Sequence, residues 1–509
     1  MYFPTSGGFL EKKRLSHFRR FQLIESEPNT PPSKAYCLNK GRMVCSAEST
    51  SKRQKPEEAD RISNLPKSLL CRILSFLTTK EAIVTSILSS RWKTLWTLVP
   101  KLDFDYYELT TTSSSAEVQS HKRYNFNFAH IVSRVWALRS ASQVQKFRLH
   151  WDHGVYDPVH MDTWVRAAIA RGVEDIDLNI DPNSNRSFYL PCSLFNCKTL
   201  IALKLSGNFE YDTPPSSSIV FPSLKILHLE FNFNSCDYLF TLPTLCPVLQ
   251  DLSVKVHCWY ADWHCKFISP TLKRLHLYMK FDELPYKLEI KAPALEYLNF
   301  GGHLDSILLE DLSNLVEAVI DIDVDLTKID YYEHYGSRVW DFIGELGDIK
   351  SLHLSANTTE FLCNASEFDP PVFHNLSFLK VKGPCMLHVL PHLLQVTPNL
   401  AVLVVEKEER NFFSCEKEES FTCDMILYEE PLQQVVRKCL SSCLTTLHYE
   451  GFEGLKNELK LVKHFLKRAK VLKTMKISSY NLNSEEKLCV LKELLLFPRH
   501  SRSCQIVFS

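Results

Sequence analysis

The sequence predicts an α/β repeat protein, in which a small N-terminal three-helix module precedes a curved leucine-rich-repeat solenoid and a C-terminal α/β segment. The main observation is a recurring unit of the form L-x-x-L-x-L, with clear copies at 200–205, 224–229, 249–254, 272–277 and 295–300. The second apolar position of these copies advances in steps of 24, 25, 23 and 23 residues, a period typical of leucine-rich repeats. Helical patterns precede the repeats over residues 60–105, and mixed helix and strand patterns follow them.

The N-terminal module shows three short amphipathic patterns. Pro66 fits the first turn of a helix, where no amide donor is required. Thr78 or Thr79 can cap a second helix, and Trp92 begins a third. Apolar residues recur at helical spacing in the first and third patterns: Leu69, Leu70, Ile73, Leu74, Leu77, Trp92, Leu95 and Trp96. The plain interpretation of each one is core, but together they exceed what so small a module can bury, which indicates an interface.

This pattern resembles the F-box of plant F-box proteins. The matching residues are Asp60-Arg61-Ile62, Leu65-Pro66, Ile73-Leu74-Ser75, Leu77, Thr85-Ser86, Leu88-Ser89, Arg91-Trp92, Leu95-Trp96, Leu102 and Phe104-Asp105. The resemblance implies a helix-groove contact with the Skp-type adapter of a cullin ubiquitin ligase. The adapter-binding residues expected from it are Leu65, Pro66, Leu69, Ile73, Leu77, Leu88, Trp92 and Leu95. Lys67 departs from the family, which usually carries an acidic residue there, and a reversed rim charge should change the association rate more than abolish binding.

The repeats predict parallel strands whose leucines close a continuous core, so that the array curves into an arc. Residues between the leucines then point to the concave face, because side chains alternate along a strand. We expect target-binding residues at Arg148, His150, Lys204, His228, His276, Tyr278, His353 and Lys380, although each one alone is more often solvated strand surface than an energetic hot spot. Their mixed signs favour a protein or peptide ligand over nucleic acid. A small-molecule receptor is a further possibility, and it would need a basic pocket on this face.

The segment 436–509 predicts a strand and turn, a helix, a strand, a helix capped by Asn483 or Ser484, and a closing strand. The segment resembles the FBD domain, and this resemblance implies an α/β FBD cap on the solenoid. The matching residues are Cys439-Leu440, Leu444, Gly451-Phe452, Gly454, Glu458-Leu459, Phe465-Leu466, Ala469, Leu472 and Met475-Lys476-Ile477.

One predicted helix face in this segment carries Lys456, Lys460, Lys463, Lys467 and Lys470. The plain interpretation is a solvated face. The alternatives are a docking site for an acidic partner, for the acidic loop at 407–424, or for nucleic acid.

Composition places the chain among ordinary soluble globular proteins. It has 509 residues, with 59 basic and 59 acidic side chains, so no overall field attracts nucleic acid or membrane. No apolar run approaches the ~20 residues of a membrane helix. Its 17 cysteines are scattered without a CxxC pair, which suits reduced thiols in the cytoplasm or nucleus.

The predicted organisation is a disordered leader (1–58), the F-box (59–105), the repeats with an acidic loop near 407–424 (106–435), and the FBD segment (436–509). Met43 begins a stretch resembling the usual start of such proteins. We therefore expect residues 1–42 to be an optional upstream extension, which mapping of the protein N-terminus by mass spectrometry can test.

Sites of chemistry are not evident in the sequence. No nucleophile elbow, HExxH, phosphate-binding loop or dinucleotide fingerprint is present. The densest cluster of metal-ligand residue types is His257, Cys258, His264 and Cys265, but neighbours on a strand face opposite ways, so ordinary packing is expected. We therefore predict no metal, no cofactor and no catalysis. The predicted function is a substrate-recognition subunit of a Skp–cullin–F-box ubiquitin ligase, bound to the adapter, through it to a cullin, and to an unknown target protein.

Overall fold

The computed structural model describes residues 62, 64–110, 121–151, 157–180, 188–210, 221–231, 239–258, 263–281, 286–304, 306–323, 332–363, 365, 371–383, 386–407 and 437–509. The chain divides into a short unit, Met1–Asn64, and a large unit, Leu65–Ser509. The predicted leader, the upstream extension and the acidic loop beyond Lys407 lie outside the described residues.

The N-terminal module contains the three predicted helical segments. They are α1 (Lys67–Leu74), α2 (Thr79–Val84) with a 3-10 turn at Thr85–Ile87, and a 3-10 helix at Trp92–Leu98. Thr78 caps α2 through a reciprocal capping box with Glu81, as predicted. The third segment winds more tightly than an α-helix, and its Thr97 hydroxyl donates to the carbonyl of Thr94.

A single parallel sheet of fifteen strands forms the body of the described chain. In spatial order the strands are β1 (Lys101–Asp105), β2 (Lys146–Trp151), β3 (Asp175–Ile180), β5 (Ala202–Ser206), β7 (Ile226–Phe231), β8 (Asp251–Cys258), β10 (Arg274–Phe281), β12 (Tyr297–Gly302), β14 (Glu317–Ile322), β15 (Ser351–Leu354), β16 (Phe378–Lys382), β17 (Val402–Glu406), β18 (Thr446–Glu450), β19 (Thr474–Ser478) and β20 (Gln505–Phe508). Spatial order follows chain order throughout, which is the signature of a repeat solenoid.

The repeat leucines lie in one line across this sheet. Leu203 pairs with Leu227, which pairs with Leu252, Leu275 and Leu298 in turn. All of these side chains are buried in the core. The repeat prediction is therefore confirmed, because the leucines that recur with a regular spacing in the sequence occupy equivalent, paired positions on successive strands.

The return segments that cover the leucine face are of two kinds. Helices serve both ends of the array: α3 (Tyr106–Thr110), α4 (His121–Leu138), α5 (Pro158–Ala170), α6 (Cys192–Phe195), α7 (Tyr332–Glu345), α8 (Ala356–Cys363) and α9 (Met386–Val396). In the middle the returns are a 3-10 helix, Leu239–Leu245, and strands β9 (Trp263–Ile268), β11 (Tyr286–Lys291) and β13 (Ser306–Glu310), which form a second parallel sheet. A short pair, β4 (Phe188–Tyr189) and β6 (Phe209–Glu210), completes the strands. The sequence patterns above did not predict the second sheet.

The C-terminal segment folds as predicted, and it continues the main sheet. Its helices are α10 (Arg437–Ser442), α11 (Lys456–Arg468) and α12 (Ser484–Leu496). Leu403 of β17 pairs with Leu447, and the line runs on through Met475 to Ile506. The predicted cap is thus built from further repeats in the same register.

Gly302 occupies a position that no other residue fits. Its φ is +117°, and a Cβ there would lie 1.9 Å from the carbonyl oxygen of Met279. We expect Gly302→Ala to lower the free energy of unfolding by about 3 kcal/mol, because strain and a backbone clash add. Gly347 is the matched control: its φ is +68° with nothing within 4 Å, so Gly347→Ala should cost only about 1 kcal/mol. Urea unfolding of both chains measures the difference, and equal losses would contradict the expectation.

Candidate interaction surfaces

The N-terminal module has its own small core. Leu70, Leu74, Ala82, Trp92, Leu95 and Val99 are buried there, with Leu65 and Leu77 packed partly against them. The guanidinium of Arg91 donates to the carbonyl of Leu65, which holds the entry to α1. Trp92 and Leu95 are only 8% and 1% exposed. Both side chains therefore help to hold the module together, and adapter binding by these two residues stays a prediction.

A second apolar stripe on the N-terminal module faces solvent. Leu69, Ile73 and Phe76 follow one another at steps of four and three residues, and they are 45%, 44% and 81% exposed. Pro66 and Lys67 are also exposed beside the start of this stripe. Leu69, Ile73 and Pro66 are therefore accessible to a partner, while adapter binding by these residues stays a prediction.

A second set of exposed apolar residues begins at the last residue of α2 and continues through the 3-10 turn. Val84, Ile87 and Leu88 are 53%, 81% and 63% exposed. Among these only Leu88 was predicted from the sequence. Side chains this apolar and this exposed on so small a module are typical of a surface that another protein covers. We name the two sets, Leu69-Ile73-Phe76 and Val84-Ile87-Leu88, the F-box stripes.

The predicted target-binding residues lie together on the polar face of the main sheet, defined as the face opposite the buried leucines. Register places six of them in one row across the strands: Arg148, Lys204, His228, His276, His353 and Lys380. His150 and Tyr278 lie in the adjacent row. All are half-buried. The alternation argument is confirmed as geometry, while target binding by these residues stays a prediction.

Charges on the polar face are largely neutralised by their neighbours. Arg148 lies 3.2 Å from Asp103 and 3.8 Å from Asp177. Lys380 and Lys382 lie 2.7 and 3.1 Å from the carboxylate oxygens of Glu406. Burial alone would raise the pKa of Glu406, but hydrogen bonds from the two lysines outweigh it and lower that pKa. These cations are therefore committed to neighbouring strands, and no strongly charged groove results from them.

Burial also governs the histidines of this face. It lowers the pKa of His228, His353 and His448 below the ordinary 6.5, against the opposing effect of a nearby carboxylate in each case. Unfolding frees these rings to take up protons more readily. The free energy of unfolding should therefore decrease as the pH falls from about 7 towards 5.5.

The pH dependence can be assigned to one ring by substitution. We expect a His353→Gln chain to lose less stability than the wild type over that pH interval, measured by urea unfolding at each pH. His500→Gln, changed at an exposed position, is the control that should follow the wild type. Parallel curves for all three chains would show that His353 does not contribute.

The C-terminal helix α11 separates its charges sharply. Lys456, Lys460, Lys463, Lys467 and Lys470 are all exposed, as the amphipathic pattern predicts. Glu458 points the opposite way and is 1% exposed. Its carboxylate accepts from Lys407 Nζ at 3.0 Å and Tyr449 Oη at 3.2 Å. It also accepts from the backbone N–H groups of residues 453 and 455, at 3.0 Å each.

Other predicted features have plain structural roles. Cys265 is buried while the adjacent His264 is exposed near Glu289, so the two face opposite sides of β9. Within the described part of the chain, no group of three or more His, Cys, Asp or Glu side chains has metal-binding geometry. Over the same residues, no helix has the length and apolar character to cross a bilayer.

The fold and these surfaces define a class: a leucine-rich-repeat scaffold that carries a small helical docking module. Known families match the corresponding parts: the F-box domain at residues 62–104, the LRR repeats of FBD-associated F-box protein At5g56370 at 161–308, and FBD at 433–477. The chain belongs to the F-box/FBD/LRR-repeat protein family.

Relatives in Arabidopsis thaliana cover between 68% and 88% of the chain. F-box/FBD/LRR-repeat protein At1g78750 is 31% identical over 471 residues, which span 88% of this chain and 96% of that protein. F-box/LRR-repeat protein At4g14103 is 35% identical over 368 residues, 68% of this chain and 91% of that protein. F-box/FBD/LRR-repeat protein At4g26340 is 31% identical over 462 residues, 88% of this chain and 100% of that protein.

Proposed function

We propose that this F-box protein is the substrate-recognition subunit of a Skp–cullin–F-box ubiquitin ligase. The main support for this proposal is the pair of F-box stripes, which expose large apolar side chains on a module that already has its own buried core. Covering one such side chain with a partner stabilises a complex by about 1.5–3 kcal/mol if it is fully buried. An apolar groove between helices of a Skp-type adapter is the complementary surface.

The long repeat sheet would hold the target. Its polar face offers half-buried imidazole, phenol and phenyl rings. The ring centroids of His276 and Tyr297 lie 5.1 Å apart, as do those of His353 and Phe378. Aromatic rings held rigidly in this way supply contact area at little entropic cost. Mixed, paired charges between them favour a folded protein or peptide as the target.

In this proposal the chain carries no catalytic group of its own. It acts by proximity, since holding a target beside a charged ubiquitin-conjugating enzyme raises the effective concentration of the acceptor lysine. The cullin is reached through the adapter. The module and the sheet are one unit, so a target on the polar face would be held at a defined distance from the adapter.

Two alternatives find less support. A small-molecule receptor would need free cations on the polar face, but Arg148 and Lys380 are ion-paired with neighbouring strands. Nucleic-acid binding would use the exposed lysines of α11, and it would show a steep salt dependence that is lost when these lysines are neutralised.

The proposal is tested by co-purification of the full chain with a recombinant Skp-type adapter and its cullin. We expect a stable stoichiometric complex. Failure of the folded wild-type chain to retain the adapter in gel filtration at micromolar concentration would refute it.

A further inference from the structure

Strand β20 is the last strand of the main sheet in the described part of the chain, and among these residues it pairs on one side only, with β19. Gln505 N–H donates to the carbonyl of Lys473 at 2.8 Å, and Ser509 N–H to that of Ile477 at 3.0 Å. Backbone groups alternate in direction along a strand. The N–H and C=O groups of Ile506 and Phe508 therefore point away from β19. Such an edge is a template for another strand, and β20 contains no lysine or proline to prevent pairing.

The opposite end of the sheet does not offer a similar edge. Asp103 N–H of β1 donates to the hydroxyl of Thr79 at 2.7 Å, and Lys101 Nζ to the carbonyl of Leu77 at 3.4 Å. The F-box module thus covers β1. A second copy cannot extend the sheet head to tail, so pairing at β20 can only join like ends.

The helix that precedes β20, α12, exposes several apolar residues, and β20 exposes one. Leu488, Leu495 and Leu496 of α12 are 52%, 69% and 83% exposed, and Val507 of β20 is 46% exposed. In a solenoid the flank of each helix is normally covered by the next repeat, and terminal repeats carry a polar outer face instead. This terminal repeat does not follow that rule.

We propose that the β20–α12 end binds the same end of a second copy about a two-fold axis. Antiparallel pairing then lets Ile506 exchange both backbone hydrogen bonds with Phe508 of the second copy, and Phe508 with its Ile506. Val507 meets its own symmetry mate at the centre. The two α12 helices lie side by side on the same face of one continuous sheet.

Charge complementarity favours a second copy as the occupant. Helix α12 begins with Glu485 and Glu486, and Arg499 and His500 follow its end. An antiparallel arrangement brings the acidic start of one helix towards the basic end of the other, and it opposes the two helix dipoles. A parallel arrangement would place like charges together. The two ends of α12 are therefore complementary in the two-fold form that the strand edge also requires.

The experiment is sedimentation of the full chain at about 50 µM, which populates any dimer of micromolar affinity. We expect a dimer for the wild type. Val507→Lys should weaken it at least tenfold, because like charges meet directly across the pair, and Val507→Thr should preserve it. Leu308→Lys is the matched control: Leu308 is 52% exposed on β13, an edge strand of the second sheet.

Mixing two variants tests the symmetry itself. Val507→Lys and Val507→Glu chains should each be monomeric alone, while a mixture should form mixed dimers, detected by native mass spectrometry with a mass tag on one chain. A wild-type monomer at about 50 µM would overturn the proposal. So would a dimer that survives Val507→Lys but is lost when the F-box stripes are changed. Adapter binding is measured separately, and Val507→Lys should leave it unaltered.

Discussion

Exchange of Phe76 and Ile87 for serine in the same chain is expected to weaken binding of a Skp-type adapter about 10³-fold, since each anchor is worth roughly 2 kcal/mol. Both side chains are 81% exposed. They contribute little to folding, so the free energy of unfolding should change by less than about 0.5 kcal/mol for each. Titration calorimetry with purified adapter measures the first quantity, and urea unfolding measures the second.

The control for this substitution is Val159→Ser, which alters an equally conspicuous apolar residue, 71% exposed on α5, far along the chain from the module. It should bind the adapter as the wild type does. A Leu95→Ala chain differs again, because it should lose adapter binding only together with the folded module. If the Phe76→Ser/Ile87→Ser chain binds the adapter as tightly as the wild type, the F-box stripes are not the adapter-binding surface.

Substitution of Lys407 by methionine is expected to lower the free energy of unfolding by about 3–5 kcal/mol, because it leaves a buried carboxylate without its cation. The side chain of Lys407 is 21% exposed and that of Glu458 only 2%. Burial alone would lower the pKa of Lys407, yet its hydrogen bonds to Glu453 and Glu458 outweigh this and raise it. The ammonium is therefore held charged at the point where the repeats meet the C-terminal segment.

A double substitution separates this ion pair from simple packing. Lys407→Met combined with Glu458→Gln should be more stable than Lys407→Met alone, because a neutral amide in that site needs no cation. Lys470→Met, on the exposed face beyond α11, should change stability by less than about 0.5 kcal/mol. If Lys407→Met unfolds in urea like Lys470→Met, the buried pair is not a stabilising element.

The repeat architecture could be predicted because the same pattern of apolar residues recurs in every unit. Leu203, Leu227, Leu252, Leu275 and Leu298 recur with a regular period, and that regularity is what places them in register. The terminal helices were equally predictable, from caps such as Asn483 and from the opposed lysine and leucine faces of α11.

Other features depended on three-dimensional packing. Helix α1 is apolar on two sides, and spacing alone does not tell which stripe, Leu70-Leu74 or Leu69-Ile73-Phe76, faces inward. The return strands β9, β11 and β13 lack the L-x-x-L-x-L unit and are defined by pairing with each other. Burial of Glu458 could not be predicted from the sequence, because the cation that pairs with it, Lys407, lies 51 residues away in the chain.

The strict chain order of the fifteen strands has a consequence for how the protein forms. Each strand of the main sheet pairs only with the strands before and after it in the array, as Leu203 does with Leu227. Contact order is therefore low for a protein with so many strands, and folding can start locally and grow outward. A chain leaving the ribosome can add one strand at a time to a growing edge. Because Gln505–Phe508 comes last in chain order among the described strands of this sheet, the surface that we assign to self-association would form only after the preceding strands have been added.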